Sequence, residues 1–267
     1  MMKITTLIEN RVSRAGLVAE HGLSFYIEAG KKKLIFDTGA GENFAQNAKV
    51  MGINLSKADL LILSHGHNDH TGGLSWFIEN NNKASVYLKE ETLWPKYKFD
   101  RSIGMSNRIN TNNSRFRMIR EINEVVEGIF IFPVTHRYFE IDQHKAGFFT
   151  NNGEEIVADA FLDELFLVMK NNGGISILSS CSHNGITNMV ETAANYFKLP
   201  VRNVIGGFHL KNSTREVSNH IADYFNQKKV EKVYTGHCTG IENFIQIQTN
   251  CNAKVFYLET GDKIEIE

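Results

Sequence analysis

Short apolar runs recur along the chain, and polar or glycine-containing stretches separate them. The run Leu60-Leu61-Ile62-Leu63 has the length and composition of a strand that is buried on both faces. Comparable runs predict strands at 4–10, 23–29, 33–36, 58–63, 85–89, 125–134, 165–170, 175–179, 201–205, 230–234 and 254–258. Apolar positions at helical spacing predict helices at 41–52, 72–80, 186–197 and 215–226.

Strands and helices alternate in both halves of the chain, and no Pro- or Ser-rich linker divides them. This order favours an α/β fold in which helices cover the faces of sheets. We therefore expect one domain over residues 1–267. The stretch from about 89 to 124 fits the alternation poorly because it is polar and basic, and we interpret it as an insertion.

Composition and charge argue against several classes of protein. The 29 basic and 30 acidic residues give a formal net charge of −1, which argues against a general nucleic-acid-binding surface. No apolar run approaches the roughly 18 residues of a membrane span, and the first residues lack the apolar core of a signal peptide. The three cysteines are scattered, which argues against a disulfide framework, so we expect a reducing, cytoplasmic location.

The loop that follows Leu63 concentrates metal-binding side chains: His65, His67, Asp69 and His70. In extended backbone, His65 and His67 point to the same side and can bind one ion together. Asp69 and His70 follow in a turn and can reach a second ion nearby. Zinc and similar divalent metals accept neutral imidazole nitrogen and carboxylate oxygen, and such crowding would be costly without a cation. The loop therefore predicts a metal site.

Three later histidines also come directly after predicted strands: His183, His209 and His237. The carboxyl ends of strands converge on the functional crevice of an open α/β sheet, so all three are candidate site residues. His144 and His220 lie in polar or helical surroundings, and we interpret them as surface residues.

The histidine loop resembles the His-x-His-x-Asp-His signature of the metallo-β-lactamase superfamily, and Phe36-Asp37-Thr38-Gly39 resembles its strand-end Asp-Thr-Gly. Other motifs resemble one branch, that of 7,8-dihydropterin-6-yl-methyl-4-(β-D-ribofuranosyl)aminobenzene 5′-phosphate synthases and related bacterial metallo-hydrolases. These motifs are Glu20-His21-Gly22-Leu23-Ser24, Cys181-Ser182-His183-Asn184-Gly185-Ile186, Gly206-Gly207-Phe208-His209-Leu210 and Thr235-Gly236-His237-Cys238-Thr239-Gly240. The resemblance implies a four-layer αβ/βα sandwich in which helices flank two mixed sheets.

The resemblance also implies a ligand set for two divalent ions, with zinc expected first and manganese or iron as alternatives. It places His65, His67 and His183 at one metal, and Asp69, His70 and His237 at the other. The superfamily usually supplies an acidic residue or a cysteine beside the metals from a strand end in the second half. This chain has no acid at the matching strand end, and Cys181 is the nearest substitute. Cys181 is therefore a further candidate ligand or a neighbour of the ligands.

Four more residues are candidates for supporting or substrate-binding roles. Asp37 is expected to orient a histidine or the loop backbone rather than to bind a metal. Arg101 and Arg108 belong to the basic stretch, which is either a solvated face or a clamp for phosphate, since guanidinium groups match phosphate oxygens. His209 is a candidate for holding a substrate phosphate.

These features predict a metal-dependent hydrolase of a phosphorylated or ester small molecule, in which Asp69 serves as both ligand and catalytic base. The alternative is a synthase whose metals bind a diphosphate leaving group on a dihydropterin. A non-catalytic ligand-binding relative and a di-iron redox relative are further alternatives, although the di-iron branches typically replace the second histidine of the motif, here His67, with glutamate. We expect a small-molecule partner, no nucleic acid and no membrane; oligomer formation stays open.

Overall fold

The structure is a computed structural model that describes residues 1–106, 109–111, 113–171 and 173–267. Arg108, a candidate phosphate ligand, lies outside the described residues, so its role stays a sequence-based prediction. In the described part of the chain, no helix has the length and apolar character that crossing a membrane requires.

The bounds of the regular elements follow the predicted alternation. The strands are β1 Met2–Ile8, β2 Ser24–Ala29, β3 Lys32–Phe36, β4 Leu60–Ile62, β5 Ser85–Leu88, β6 Lys96–Lys98, β7 Arg101–Ser102, β8 Phe116–Met118, β9 Asn123–Val126, β10 Ile129–Phe132, β11 Phe148–Asn151, β12 Ile156–Ala158, β13 Phe166–Asn171, β14 Gly174–Leu178, β15 Val201–Gly206, β16 Lys232–Thr235, β17 Lys254–Tyr257 and β18 Lys263–Ile266. The helices are α1 Asn43–Val50, α2 Asn68–Thr71, α3 Leu74–Asn80, α4 Ile186–Phe197, α5 Arg215–Lys228 and α6 Ile241–Asn250.

The first of two compact units comprises Met1–Arg120, Ala146–Leu165 and Glu259–Glu267. It holds a seven-stranded sheet in the order β18-β1-β2-β3-β4-β5-β8 and a four-stranded sheet in the order β12-β11-β6-β7. β3, β4 and β5 run parallel, so their carboxyl ends lie at one edge of the sheet. Phe44 of α1 and Phe77 of α3 pack with strand residues in one apolar core, as amphipathic helices on a sheet face do.

The second unit comprises Glu121–Lys145 and Phe166–Leu258. Its seven-stranded sheet has the order β17-β16-β15-β14-β13-β10-β9. β14 to β17 run parallel, so the loops that follow β14, β15 and β16 leave the same edge of the sheet. Apolar residues of α4 and α5 join strand residues in the core of this unit.

One predicted strand differs from the structure, and one helix was missed. The run 125–134 was predicted as one strand, but it forms parts of two antiparallel strands, β9 and β10, because the chain turns at Gly128 with a φ of 76°. Helix α6 was not predicted. Within the basic stretch, β8 pairs in parallel with β5 and so extends the larger sheet of the first unit.

Candidate metal centre

The carboxyl ends of β3 and β4 bring Asp37 against the start of the histidine loop. Asp37 is completely buried, and its Oδ1 accepts a hydrogen bond of 2.7 Å from the backbone N–H of Ser64. Its Oδ2 accepts one of 2.6 Å from Ser64 Oγ. The backbone of Asp37 has a φ of 60°, a conformation that aspartate tolerates better than most residues. Asp37 therefore anchors the loop at its first residue.

The same carboxylate fixes the orientation of His70. His70 Nδ1 lies 2.8 Å from Asp37 Oδ2, and both side chains are fully buried. When Nδ1 donates its proton to Asp37, Nε2 carries the lone pair that a metal requires. That Nε2 lies 3.6 Å from Asp69 Oδ2, so the pair presents one nitrogen and one oxygen to a common point. This arrangement agrees with the expected orienting role of Asp37.

His65 and His67 point their ring nitrogens at each other within the same unit. His65 Nε2 and His67 Nδ1 are 3.0 Å apart, and both residues are buried. Two nitrogens at about 2.0–2.1 Å from one tetrahedral zinc ion lie roughly 3.4 Å from each other. The observed separation is close to that value, and the donor set of imidazoles and a carboxylate suits a borderline divalent ion. The residues of this loop therefore fit the implied metal.

The second unit gathers its own cluster of possible ligands at the carboxyl edge of its parallel strands. Potential ligand atoms of Cys181, His183 and His209 lie within 4.8 Å of one another, and so do those of Cys181, His237 and Cys238. The His183 and His209 rings have centroids 4.2 Å apart. His209 and His237 have φ values of 51° and 49°, which is strained backbone for residues with a side chain. The structure thus brings His183, His209 and His237 to this strand-end cluster, and their ligand or substrate-binding roles stay predictions.

Cys238 is a further member of this cluster, which the sequence analysis did not name as a candidate site residue. Its Sγ lies 3.5 Å from Cys181 Sγ and accepts a hydrogen bond of 3.2 Å from the backbone N–H of His209. Burial acts to raise the pKa of the Cys238 thiol. The hydrogen bond with Cys181 and the nearby His237 outweigh burial, so the pKa lies well below its ordinary value. The pair Gly206-Gly207 is the sequence feature that could have indicated this close packing. A Cβ on Gly207 would lie 2.6 Å from Cys238 Sγ.

His144 is not the surface residue that its polar surroundings suggested. Its backbone N–H donates a 3.1 Å hydrogen bond to the carbonyl of His183, and its ring centroid is 5.9 Å from that of His209. Burial and the nearby His209 lower the pKa of His144 to about 4. The interpretation of His144 as a surface residue was wrong. Polar neighbours in the sequence do not determine which distant residues pack against a side chain in the folded chain.

Some lysine and arginine side chains of the basic stretch are held by hydrogen bonds or ion pairs, and others are exposed. Lys89 donates to the carbonyl of Leu162, and Arg115 donates through Nε to the carbonyl of Ala84 at 2.9 Å. Lys96 is buried and ion-paired. Arg101 is exposed in β7, where it is accessible to a ligand. The stretch is therefore not a uniform solvated face.

Comparison with known proteins agrees with the fold. The sequence pattern of the metallo-beta-lactamase superfamily matches residues 17–175. The chain is 30% identical over 260 residues to the 7,8-dihydropterin-6-methyl-4-(beta-D-ribofuranosyl)-aminobenzene-5′-phosphate synthase of Methanocaldococcus jannaschii, an alignment that covers 90% of this chain and 88% of the relative.

Solved structures give the same result. A crystal structure described as a metal-dependent hydrolase of the beta-lactamase superfamily aligns over 100% of both chains with a TM-score of 0.90 and 29% identity. The metallo-beta-lactamase fold protein YhfI from Bacillus subtilis covers 99% of both chains with a TM-score of 0.60 and 12% identity, which supports the fold alone. The mixed sheets with flanking helices are those of this fold, as the sequence predicted. The chain belongs to the metallo-β-lactamase superfamily.

Proposed function

We propose that the protein is a metal-dependent hydrolase whose substrate is a phosphorylated or ester small molecule. The observation that carries this proposal is the buried pair His65 and His67, whose ring nitrogens converge at 3.0 Å beside a His70 that Asp37 orients. A bound divalent ion would supply Lewis acidity and would lower the pKa of water towards neutrality. His183 and His237 are kept as additional proposed ligands on the basis of sequence position and resemblance.

Asp69 is the proposed proton acceptor in this reaction. Its side chain is 18% exposed, whereas the His70 side chain is fully buried, so Asp69 is the group of this pair that water can reach. Its Oδ2 also lies 3.4 Å from Nε2 of His21, whose side chain is 70% exposed. A proton taken up at Asp69 Oδ2 can therefore pass through His21 to solvent. Both groups lie within the first unit.

The test begins with metal-free protein reconstituted with zinc, manganese or iron(II). The substrate panel contains phosphodiesters, phosphomonoesters, lactones and thioesters, and each is assayed with wild type, Asp69→Ala and Asp69→Asn. We expect turnover that requires metal and that both substitutions reduce by at least about 100-fold, as loss of general-base catalysis does. Asp59→Asn is the matched control, because Asp59 binds Lys83 at 3.1 Å instead of a histidine. An absence of metal-dependent turnover across the panel would contradict the hydrolase proposal.

A synthase is the second candidate, and one comparison favours it specifically. The relative from Methanocaldococcus jannaschii that carries a synthase name is 30% identical over most of both chains. The proposed synthase would use the metals to hold a diphosphate leaving group while an arylamine attacks the dihydropterin methyl carbon. Incubation of the dihydropterin methyl diphosphate with the ribosylaminobenzene phosphate tests it by mass spectrometry of the coupled product. If no product forms with metal-loaded enzyme, this candidate is rejected.

A further inference from the structure

A buried lysine and two buried aspartates lie directly behind the histidine loop. Lys96 Nζ is 3.0 Å from Asp159 Oδ2 and 3.1 Å from Asp163 Oδ1. The exposed fractions of the three side chains are 1%, 2% and 0%. Burying ions costs several kcal/mol each, and such pairs are weak evidence for stability as such. A role other than stability therefore has to be sought in what the group contacts.

Asp163 connects this group to the loop. Its Oδ2 accepts a 2.7 Å hydrogen bond from the backbone N–H of Gly66, the residue that separates His65 from His67. Its other oxygen faces Lys96. The Gly66 peptide is also packed closely, because a Cβ at Gly66 would lie 2.6 Å from the carbonyl oxygen of Thr92. The orientation of the peptide between the two histidines is thus set by a charged acceptor on one side and by backbone on the other.

Neighbouring contacts hold the two ends of the same short segment. The carbonyl of Ser64 accepts a 2.8 Å hydrogen bond from the N–H of Leu165, two residues beyond Asp163. At the other end, the N–H of Asn68 donates a 2.7 Å hydrogen bond to the carbonyl of Ile103. Two peptides lie between these fixed ends, those that join His65 to Gly66 and Gly66 to His67. The N–H that Asp163 accepts belongs to the first of them, so Asp163 acts directly on the backbone between the two imidazoles.

We infer that Asp163 is a positioning residue for the metal-binding loop, and that Lys96 orients the Asp163 carboxylate for that task. This inference rests on the proposed metal function of His65 and His67. Asp163 touches neither metal nor substrate; it acts through Gly66.

The experiment compares Asp163→Asn and Asp163→Ala with a matched control, Asp159→Asn. Asp159 binds the same ammonium group as Asp163, but it is Asp163 that accepts the hydrogen bond from the Gly66 N–H. Any effect of simply disturbing the buried ion pair is therefore shared by all three variants. Unfolding of the metal-free proteins by urea measures that common loss of stability. Zinc affinity is then measured by chelator competition under conditions where each protein is folded.

We expect Asp163→Ala to weaken zinc binding by about 10- to 100-fold, as removal of groups that orient ligands does. Asp163→Asn retains an acceptor for the Gly66 N–H, so its zinc affinity should fall less, by about 10-fold or below. The control should stay within about threefold of wild type even where its stability has fallen equally. Equal weakening in the control and the Asp163 variants would overturn the inference.

Hydrogen exchange of the metal-free protein provides an independent readout. The Gly66 amide should exchange faster in Asp163→Ala than in wild type and in the control, since its acceptor is gone. Unchanged protection of Gly66 would overturn the inference without reference to any metal. If wild type binds no zinc, the proposed function fails, and the exchange result still decides whether Asp163 orders the loop. If Asp163→Ala does not fold, the zinc affinities of Asp163→Asn and the control decide the inference, and equal weakening in the two would overturn it.

Discussion

Substitution of Asp37 by asparagine tests how the metal-binding nitrogen of His70 is selected. The Asp37 carboxylate accepts three hydrogen bonds: from Ser64 N at 2.7 Å, from Ser64 Oγ at 2.6 Å and from His70 Nδ1 at 2.8 Å. Two of the three reach Oδ2. Asparagine can keep an oxygen towards Ser64 N, but its amide group then presents N–H donors to His70 Nδ1.

The expected magnitude follows from the tautomer of His70. Facing a donor, Nδ1 has to become the acceptor, and the ring proton moves to Nε2, the nitrogen that would bind the ion. Zinc affinity should therefore fall by about 10- to 100-fold, which is about 1.4 to 2.7 kcal/mol. The metal-free protein should lose about 1 to 3 kcal/mol of unfolding free energy, because a buried charged acceptor disappears.

Chelator competition at pH 7 measures the zinc affinity, and nitrogen chemical shifts of the His70 ring report its tautomer. Asp59→Asn is the control. Asp59 lies before the amino end of β4, whereas Asp37 contacts the histidine loop after the carboxyl end of that strand. Asp59 likewise accepts a backbone N–H, that of Lys33 at 3.0 Å. Zinc affinity within about twofold of wild type, with an unchanged His70 tautomer, would refute the reasoning.

Three further predictions concern pH, phosphate and the thiol pair. Burial lowers the pKa of His144 from 6.5 to about 4, so the neutral ring stabilises the fold above pH 6.5 and this stability is lost as the pH falls towards 4. Between pH 7 and pH 5 His144 should contribute about 2 kcal/mol to the loss of unfolding free energy of the metal-free protein, measured in urea as the difference between wild type and His144→Gln; an equal loss in the two proteins would contradict this origin. Arg101→Glu should weaken binding of a phosphorylated ligand by at least about 10-fold in calorimetry. The control Arg117→Glu, at an exposed arginine of β8, should not weaken it, and equal effects would indicate that Arg101 belongs to a solvated face. Cys181→Ser should reduce zinc affinity if the thiol is a ligand, and unchanged affinity and stoichiometry would remove Cys181 from the ligand set.

Many strand positions could be predicted because local apolar patterns determine them. The helix predicted at 186–197 has those bounds in the structure, since apolar residues at helical spacing face the core of their unit. The apolar run of β4 was recognised because it is buried throughout. The reversal at Gly128 was missed, because a run that is apolar on both sides of a turn resembles one long strand.

The supporting residues of the site were harder to predict than the histidines. Asp37 was found because Asp-Thr-Gly at a strand end resembles a family motif. Asp163 lies 97 residues from Gly66 in sequence, and nothing local marks it as the acceptor for that peptide. Lys96 lies in the basic stretch that the sequence left as either a solvated face or a phosphate clamp. Its burial could not be predicted, since burial of a charge depends on partners far along the chain, here Asp159 and Asp163.

The most direct test of the central claim is a count of metal ions per chain. Metal-free protein is reconstituted with zinc, dialysed and analysed by inductively coupled plasma mass spectrometry, with the variant His65→Ala/His67→Ala in parallel. We predict two zinc ions per wild-type chain and the loss of at least one of them in the variant. Wild-type protein that retains no divalent ion, or a variant that binds as many ions as wild type, would contradict the assignment of this loop as a metal centre.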